Sequence, residues 1–262
     1  MKTRTLLVAL ALAWAPAIVA ADGGVTHPAL QPIAPELSAD EIVARAFNAA
    51  GGETWRRPKS ILLKGYMVQH KGSTISVFDE YRMWRVYDWE KKDAHAADGK
   101  VRIEGRKSGK IVFLMGFDGR RTFNLDGYVD DESANAQWAS NFGFGAIRHA
   151  LDEGWTRTRL PDDLVDGRPA HFIELKDPMG GVTRFGIDAE TYQVLLAGFS
   201  TPRGWHERIY SDFYSKPSVS WTQAGRVRLF YDGVKQNEVI WTDFDLDAPM
   251  PDRVFTPKGG KR

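Results

Sequence analysis

Six histidines are the first residues to weigh for chemistry, because two or three at helical or strand spacing would make a metal site or a general base. They are His27, His70, His95, His149, His171 and His206, and none forms a His-x-x-x-His or His-Glu-x-x-His pair. The spacing therefore predicts ordinary surface and core histidines and no metal centre. A nucleophilic serine would sit on a Gly-x-Ser-x-Gly elbow. The nearest stretch, Gly198-Phe-Ser-Thr-Pro-Arg-Gly204, has the wrong spacing around Ser200. Gly143-Phe-Gly145 begins like a dinucleotide fingerprint, but Arg148 stands at the third glycine position. The acidic run Asp130-Asp131-Glu132 lacks the alternating oxygen ligands of a calcium loop and precedes Ser133. It reads as a helix start, where carboxylates suit the dipole. No cysteine is present, which excludes thiol chemistry and a disulfide framework. The expectation is a binding protein with no catalytic residue, metal or cofactor. The enzymatic alternative would need folding to gather His171 or His206 with acidic neighbours.

What the chain does concentrate is aromatic and sulfur-bearing bulk: Trp84, Trp89, Phe113, Met115, Phe117, Trp138, Phe142 and Phe144 fall between positions 80 and 145. Taken singly, each reads as core. Taken together, Trp84, Phe113, Met115, Phe117, Trp138, Phe142 and Phe144 are expected to line an apolar cavity, with Gly143 and Gly145 as the hinge of a cover.

The elements that must position these residues follow from periodicity. Ser38 and Glu41 form a capping box, and Ile42, Val43, Ala46, Phe47 and Ala50 lie on one helical face before Gly51-Gly52. From Lys59, aromatic and β-branched runs alternate with turns at Asp98-Gly99, Gly109-Lys110, Asp118-Gly119 and Asp126-Gly127, which predicts a meander of hairpins. The run from Ile111 to Phe117 is apolar at alternate and intervening positions, so it reads as a strand buried on both faces. Ser133 to Leu151 returns to helical spacing with Gly143 and Gly145 in its middle, predicting a kinked or broken helix. Strands then resume over 169–176, 182–187, 192–199, 205–214, 219–223, 226–231 and 238–244. The fold class is α+β: one antiparallel sheet of about ten strands, which by twist must curl, split or close, with the N-terminal helix and the glycine-kinked helix available to cover its concave face.

The ends set the compartment. Lys2 and Arg4, an apolar stretch from Leu6 to Val19 broken by Pro16, and Val19-Ala20-Ala21 have the layout of a secretory signal peptide over residues 1–21, cut before Asp22 or one residue earlier. A Pro-containing leader covers 22–37, the half-barrel domain 38–256, and a basic tail 257–262. With no cysteine at the cut the mature protein is not a lipoprotein, and a periplasmic location without stable membrane insertion is expected. Its 35 basic and 34 acidic residues nearly cancel, which argues against nucleic acid and against a polybasic membrane contact.

Several stretches resemble one family. Ala49-Ala-Gly-Gly-Glu-Thr-Trp55 running into Lys59-Ser-Ile-Leu-Leu-Lys-Gly65, then Val165-Asp-Gly-Arg-Pro-Ala170, Asp177-Pro-Met-Gly-Gly181, Ile187-Asp-Ala-Glu-Thr-Tyr192 and the terminal Pro251-Asp-Arg-Val-Phe255 are similar to corners of the periplasmic lipoprotein-carrier superfamily, the LolA/LolB-like outer-membrane lipoprotein-sorting proteins. The resemblance implies a strongly curved antiparallel sheet, an incomplete β-barrel or half-barrel covered by the helices, whose cavity receives a lipid, a lipoprotein acyl chain or another apolar ligand. It also implies a lid held by an arginine, for which Arg56, Arg57 and Arg148 are the candidates. The alternative from the same fold is an interaction or sensor module that meets another envelope protein through a sheet edge or aromatic patch.

Overall fold

The structure is a computed structural model that describes residues 37–90, 93, 95–96, 99–139 and 143–257, with the side chains of 137–139 and 143 set aside. The expected signal peptide, nearly all of the leader and the basic tail lie outside the described residues. Helix α1 (Ala39–Ala50) opens on the expected capping box: the Ser38 hydroxyl accepts from the Glu41 amide at 3.2 Å, and the Glu41 carboxylate accepts from the Ser38 amide at 2.9 Å. Gly51 ends it at φ +129°, a conformation suited to glycine, and a Cβ there would lie 2.2 Å from the Ser220 carbonyl oxygen. A short helix α2 (Glu53–Arg56) follows.

Among the described residues, thirteen strands form one antiparallel sheet. The first meander is β1 (Ser60–Lys71), β2 (Thr74–Val86), β3 (Lys100–Lys107), β4 (Lys110–Phe117), β5 (Thr122–Asn124) and β6 (Gly127–Tyr128). The second is β7 (Thr156–Val165), β8 (Arg168–Lys176), β9 (Val182–Asp188), β10 (Val194–Thr201), β11 (Gly204–Ser215), β12 (Thr222–Tyr231) and β13 (Val234–Leu246). The two meanders run outward from a central seam where β1 pairs with β13, and β6 and β7 stand at opposite edges, so the sheet is not closed. Asp-Gly turns make two of the hairpins: Asp166 and Gly167 take φ of +51° and +76°, and Asp232 and Gly233 take +47° and +75°. Two successive left-handed residues match the twist of the flanking strands.

Thirteen strands replace the expected ten or so, with three short or polar strands added and one expected strand merged into its neighbour. β5 and β6 are too short to carry a period. β7 is a polar edge strand, with Pro161, Asp162 and Asp163 at a register shift that blunts the exposed edge. The stretch expected as a strand at 219–223 is instead the connection into β12, which begins at Thr222. The strand from Ile111 to Phe117 is also not buried on both faces: Leu114 is buried but Val112 is exposed. The second helical region breaks as its glycines suggest, into α3 (Glu132–Ala139) and a 3-10 segment (Gly143–His149). Asp131 starts α3 by accepting from the Ala134 amide at 2.8 Å, the helix-start role read from the acidic run.

Packing divides the concave face into two halves. Ile42, Val43, Ala46 and Phe47 of α1 join Ile147 and Ala150 over Ile173, Leu175, Phe185, Ile187 and Ala197, which fills the hollow above β8 to β10. Around the seam, Ile61, Leu63, Met67, Tyr81, Val227, Val239 and Trp241 form a second cluster, against which Trp55 is the one side chain packed from the described helices. β1 bends there. The register shifts on both sides of Gly65, and a Cβ at that position would lie 1.8 Å from the Ile240 carbonyl oxygen. Gly65→Ala is therefore expected to lower unfolding free energy by about 1–3 kcal/mol in urea titration, with the fold retained.

Candidate functional site

The unfilled half of the concave face is a cavity of about 230 Å³. Strand alternation builds its walls. Ile61 and Leu63 of β1, Tyr81, Met83 and Arg85 of β2, Ile103 of β3, Arg208 and Tyr210 of β11, Val227 and Leu229 of β12, and Val239 and Trp241 of β13 all face it. Trp55 and Trp221 stand at one side, and Phe144, Ile147 and Arg148 of the 3-10 segment cover it. Aliphatic and aromatic carbon dominates this lining, as in sites that hold apolar ligands.

Three guanidinium groups interrupt the apolar wall. Arg208 lies 3.8 Å from the centre of the Phe144 ring and Arg85 lies 5.4 Å from the same ring. Arg85 is also 4.6 Å and Arg148 5.4 Å from the centre of the Tyr87 ring. Arg148 stacks on Trp55 at 4.2 Å and donates to the Trp55 carbonyl oxygen. Arg208 Nε donates to His206 Nε2 at 3.0 Å, so His206 is a neutral acceptor. Burial first, then the charges of Arg208 and Arg203, pull the His206 pKa down to about 2. Burial also lowers the pKa of Arg208, with the charge of Arg85 acting in the same direction.

The cover is tied down beside the cavity by Asp152. Its carboxylate accepts from Arg57 at 2.5 Å, from Arg56 at 2.7 Å and from His149 Nδ1 at 2.8 Å. His149 is stacked on Trp155 at 5.3 Å and an interplanar angle of 9°. Burial alone would raise the pKa of Asp152, but the His149 hydrogen bond and the two arginines outweigh it and hold the carboxyl below its ordinary value. Of the three arginines considered for a lid contact, Arg148 lines the cavity, whereas Arg56 and Arg57 bind Asp152.

Of the lining residues expected from sequence, Phe144 lines the cavity, and of the two hinge glycines Gly145 does. Trp84 is absent from the wall because it points to the face opposite Met83 and Arg85. Phe113, Met115 and Phe117 pair with Gly105, Ile103 and Val101 and so share the concave parity, but β4 lies beyond β3, the outermost strand of that meander to reach the cavity. Phe113 instead packs on Phe78 at 6.1 Å, and Phe117 joins Val101 in a small separate cluster. The Trp138 and Gly143 side positions and all of Phe142 lie outside the described residues. Gly145 has open space where a Cβ would stand. Sequence reasoning passed over Arg85 and Arg208. Their signal was a charged residue at the in-facing parity of an otherwise apolar strand face, as in Tyr81, Met83, Arg85.

The histidines stay apart. His149 binds Asp152, His171 sits against Asp162 at 3.2 Å, and His95 bonds Thr183 at 2.7 Å. Among the described residues no group of three or more His, Asp or Glu could hold a metal ion.

Two variants test this electrostatic frame. His206 is neutral in the fold well below the pH at which it charges in the unfolded chain. Its contribution to stability is therefore complete above about pH 6.5 and declines as pH falls towards its folded pKa near 2. Between pH 7.5 and 5 the native protein should lose about 2 kcal/mol more unfolding free energy than His206→Gln. Asp152 has its folded pKa depressed, so its contribution is present above about pH 4 and is lost as pH falls further. Asp152→Asn should cost about 1–2 kcal/mol at pH 7 in the same titration and shrink the loss seen below pH 4.

No family model and no curated protein sequence matches this chain. Solved structures do. A LolA-superfamily protein from Nitrosomonas europaea superposes with a TM-score of 0.52 at 10% identity, over 85% of this chain and 99% of that one. A DUF1329-family protein from Desulfovibrio piger gives a TM-score of 0.49 at 9% identity, over 83% and 96%. The open antiparallel sheet, the N-terminal helix on its concave face and the first of these superpositions agree: the protein has a LolA-like fold.

Proposed function

We propose that the protein is an exported carrier that holds an apolar chain in the cavity beside the β1–β13 seam, as the resemblance to lipoprotein-sorting carriers implies. The observation that carries this reading is the concave hollow of about 230 Å³, walled by Ile61, Leu63, Met83, Val227, Val239 and Trp241. Each methylene moved from water into such a wall contributes about 0.8 kcal/mol. The role asked of the protein is burial and release of cargo, not bond making. Export rests on Lys2, Arg4 and the apolar stretch before Asp22, and among the described residues no helix is long and apolar enough to cross a membrane.

The 3-10 segment from Gly143 to His149 is the cover in this reading. It contributes Phe144, Ile147 and Arg148 to the cavity, and Gly143 and Gly145 give it a hinge, with Trp138 and Phe142 on the chain leading into it. Cargo enters when this segment lifts away from Trp55 and Tyr87 and is enclosed when it returns.

Delipidated protein should bind N-phenyl-1-naphthylamine with one-to-one stoichiometry and a rise in probe emission. Ala224→Trp, which places an indole in the cavity, should weaken that binding about tenfold or more while leaving the circular dichroism spectrum unchanged. Equal binding by both proteins would remove the cavity from the function. Protein recovered from the envelope of its host should begin at Asp22 or Ala21 by terminal mass spectrometry.

A further inference from the structure

We propose that the cavity is shaped for an acidic amphiphile, a single apolar chain ending in one anionic carboxylate or phosphate group that is received by Arg85, Arg148 and Arg208. This rests on the carrier reading and names its ligand class. Three observations carry it. First, the guanidinium groups converge from three separate elements: Arg85 and Arg208 share the Phe144 ring, and Arg85 and Arg148 share the Tyr87 ring. Second, no aspartate or glutamate lines the cavity among the described residues. Third, Arg208 donates to His206 Nε2, an uncharged group.

The buried charge of Arg208, beside a lining that holds no carboxylate among the described residues, carries a desolvation cost that an anion in the cavity offsets. Aromatic faces soften the cost but do not cancel the charge. Guanidinium forks also match the paired oxygens of a carboxylate or phosphate better than any neutral headgroup. The remainder of the wall, with Leu63, Met83, Val227 and Val239, offers carbon to the chain. Size narrows the class further. A cavity of about 230 Å³ lies below the roughly 300–1,000 Å³ of typical ligand pockets, which suits one chain and not a lipid with two or more. Phe144 belongs to the cover and touches two of the three arginines, so closing the cover and meeting the headgroup are one event.

The test uses the delipidated mature protein and four probes of equal chain length in calorimetric titration: dodecanoate, dodecyl phosphate, 1-dodecanol and dodecyltrimethylammonium. Dodecanoate or dodecyl phosphate should bind about tenfold or more tightly than 1-dodecanol, with the cationic probe weakest. The tighter of the two anions identifies the headgroup. In Arg208→Met the preference for dodecanoate over 1-dodecanol should fall to about threefold or less, and Arg208→Lys, which keeps a charge, should retain most of it. Equal binding of dodecanoate and 1-dodecanol by the native protein would overturn the headgroup inference while leaving the carrier reading intact. Binding of none of the four would overturn both. An anion preference that persists unchanged in Arg208→Met would overturn the assignment of Arg208.

Discussion

The pairing of β1 with β13 brings Ile61 opposite Leu246 and Gln69 opposite Asn237, joining the start of the first meander to the end of the second. Every other strand contact follows from this seam, because each meander is a chain of hairpins that can only extend outward from it. A sheet of this many strands accumulates twist and must curl. The bulges flanking Gly65 place a sharp bend in the seam itself, where β1 passes close to Ile240. The cavity therefore lies beside the strands that the fold depends on most.

Curling creates an apolar concave face, and among the described residues there is little helix with which to cover it. Helix α1 and the side chains of Ala146, Ile147 and Ala150 pack on the β8–β10 side. The seam side is left with Phe144 and Arg148 of the 3-10 segment and with the short α2, whose Arg56 is joined by Arg57 and His149 at the Asp152 carboxylate. Short 3-10 structure has poorer hydrogen-bond geometry than an α-helix. The half of the hollow that is empty is thus also the half whose cover has the weaker backbone, and the two properties together are what a site that opens and closes requires.

Local features of this fold were legible in the sequence and distant ones were not. The Ser38–Glu41 box, the Asp166-Gly167 and Asp232-Gly233 turns and the break around Gly143 depend on residues within a few positions of one another. Face parity within a strand was legible too, but which strands border the hollow was not. Phe113 and Met115 have the correct parity and still miss the cavity, because β4 lies one strand beyond β3. Polar edge strand β7 lacked any alternation to read, since an edge is protected by charge and irregularity instead of burial. Aromatic density drew attention to residues 80–145, whereas more of the wall comes from β11 to β13 than from that stretch.

The arginines show the same limit from the side of charge. A chain with 35 basic and 34 acidic residues looks featureless as a total, yet neutrality overall says nothing about how the signs are sorted inside. Acidic groups are drawn off to other partners: Glu104 to Arg102 and Arg106, Asp243 to Lys64 and Lys216, and Asp152 to Arg56 and Arg57. Arg208 donates to a neutral imidazole, and burial lowers its pKa. His206 can serve it as an acceptor only by staying uncharged, and the positive field of Arg208 and Arg203 helps to keep it so. The imidazole and the guanidinium thus sustain an arrangement in which Arg208 borders the cavity, and no carboxylate stands in its lining among the described residues.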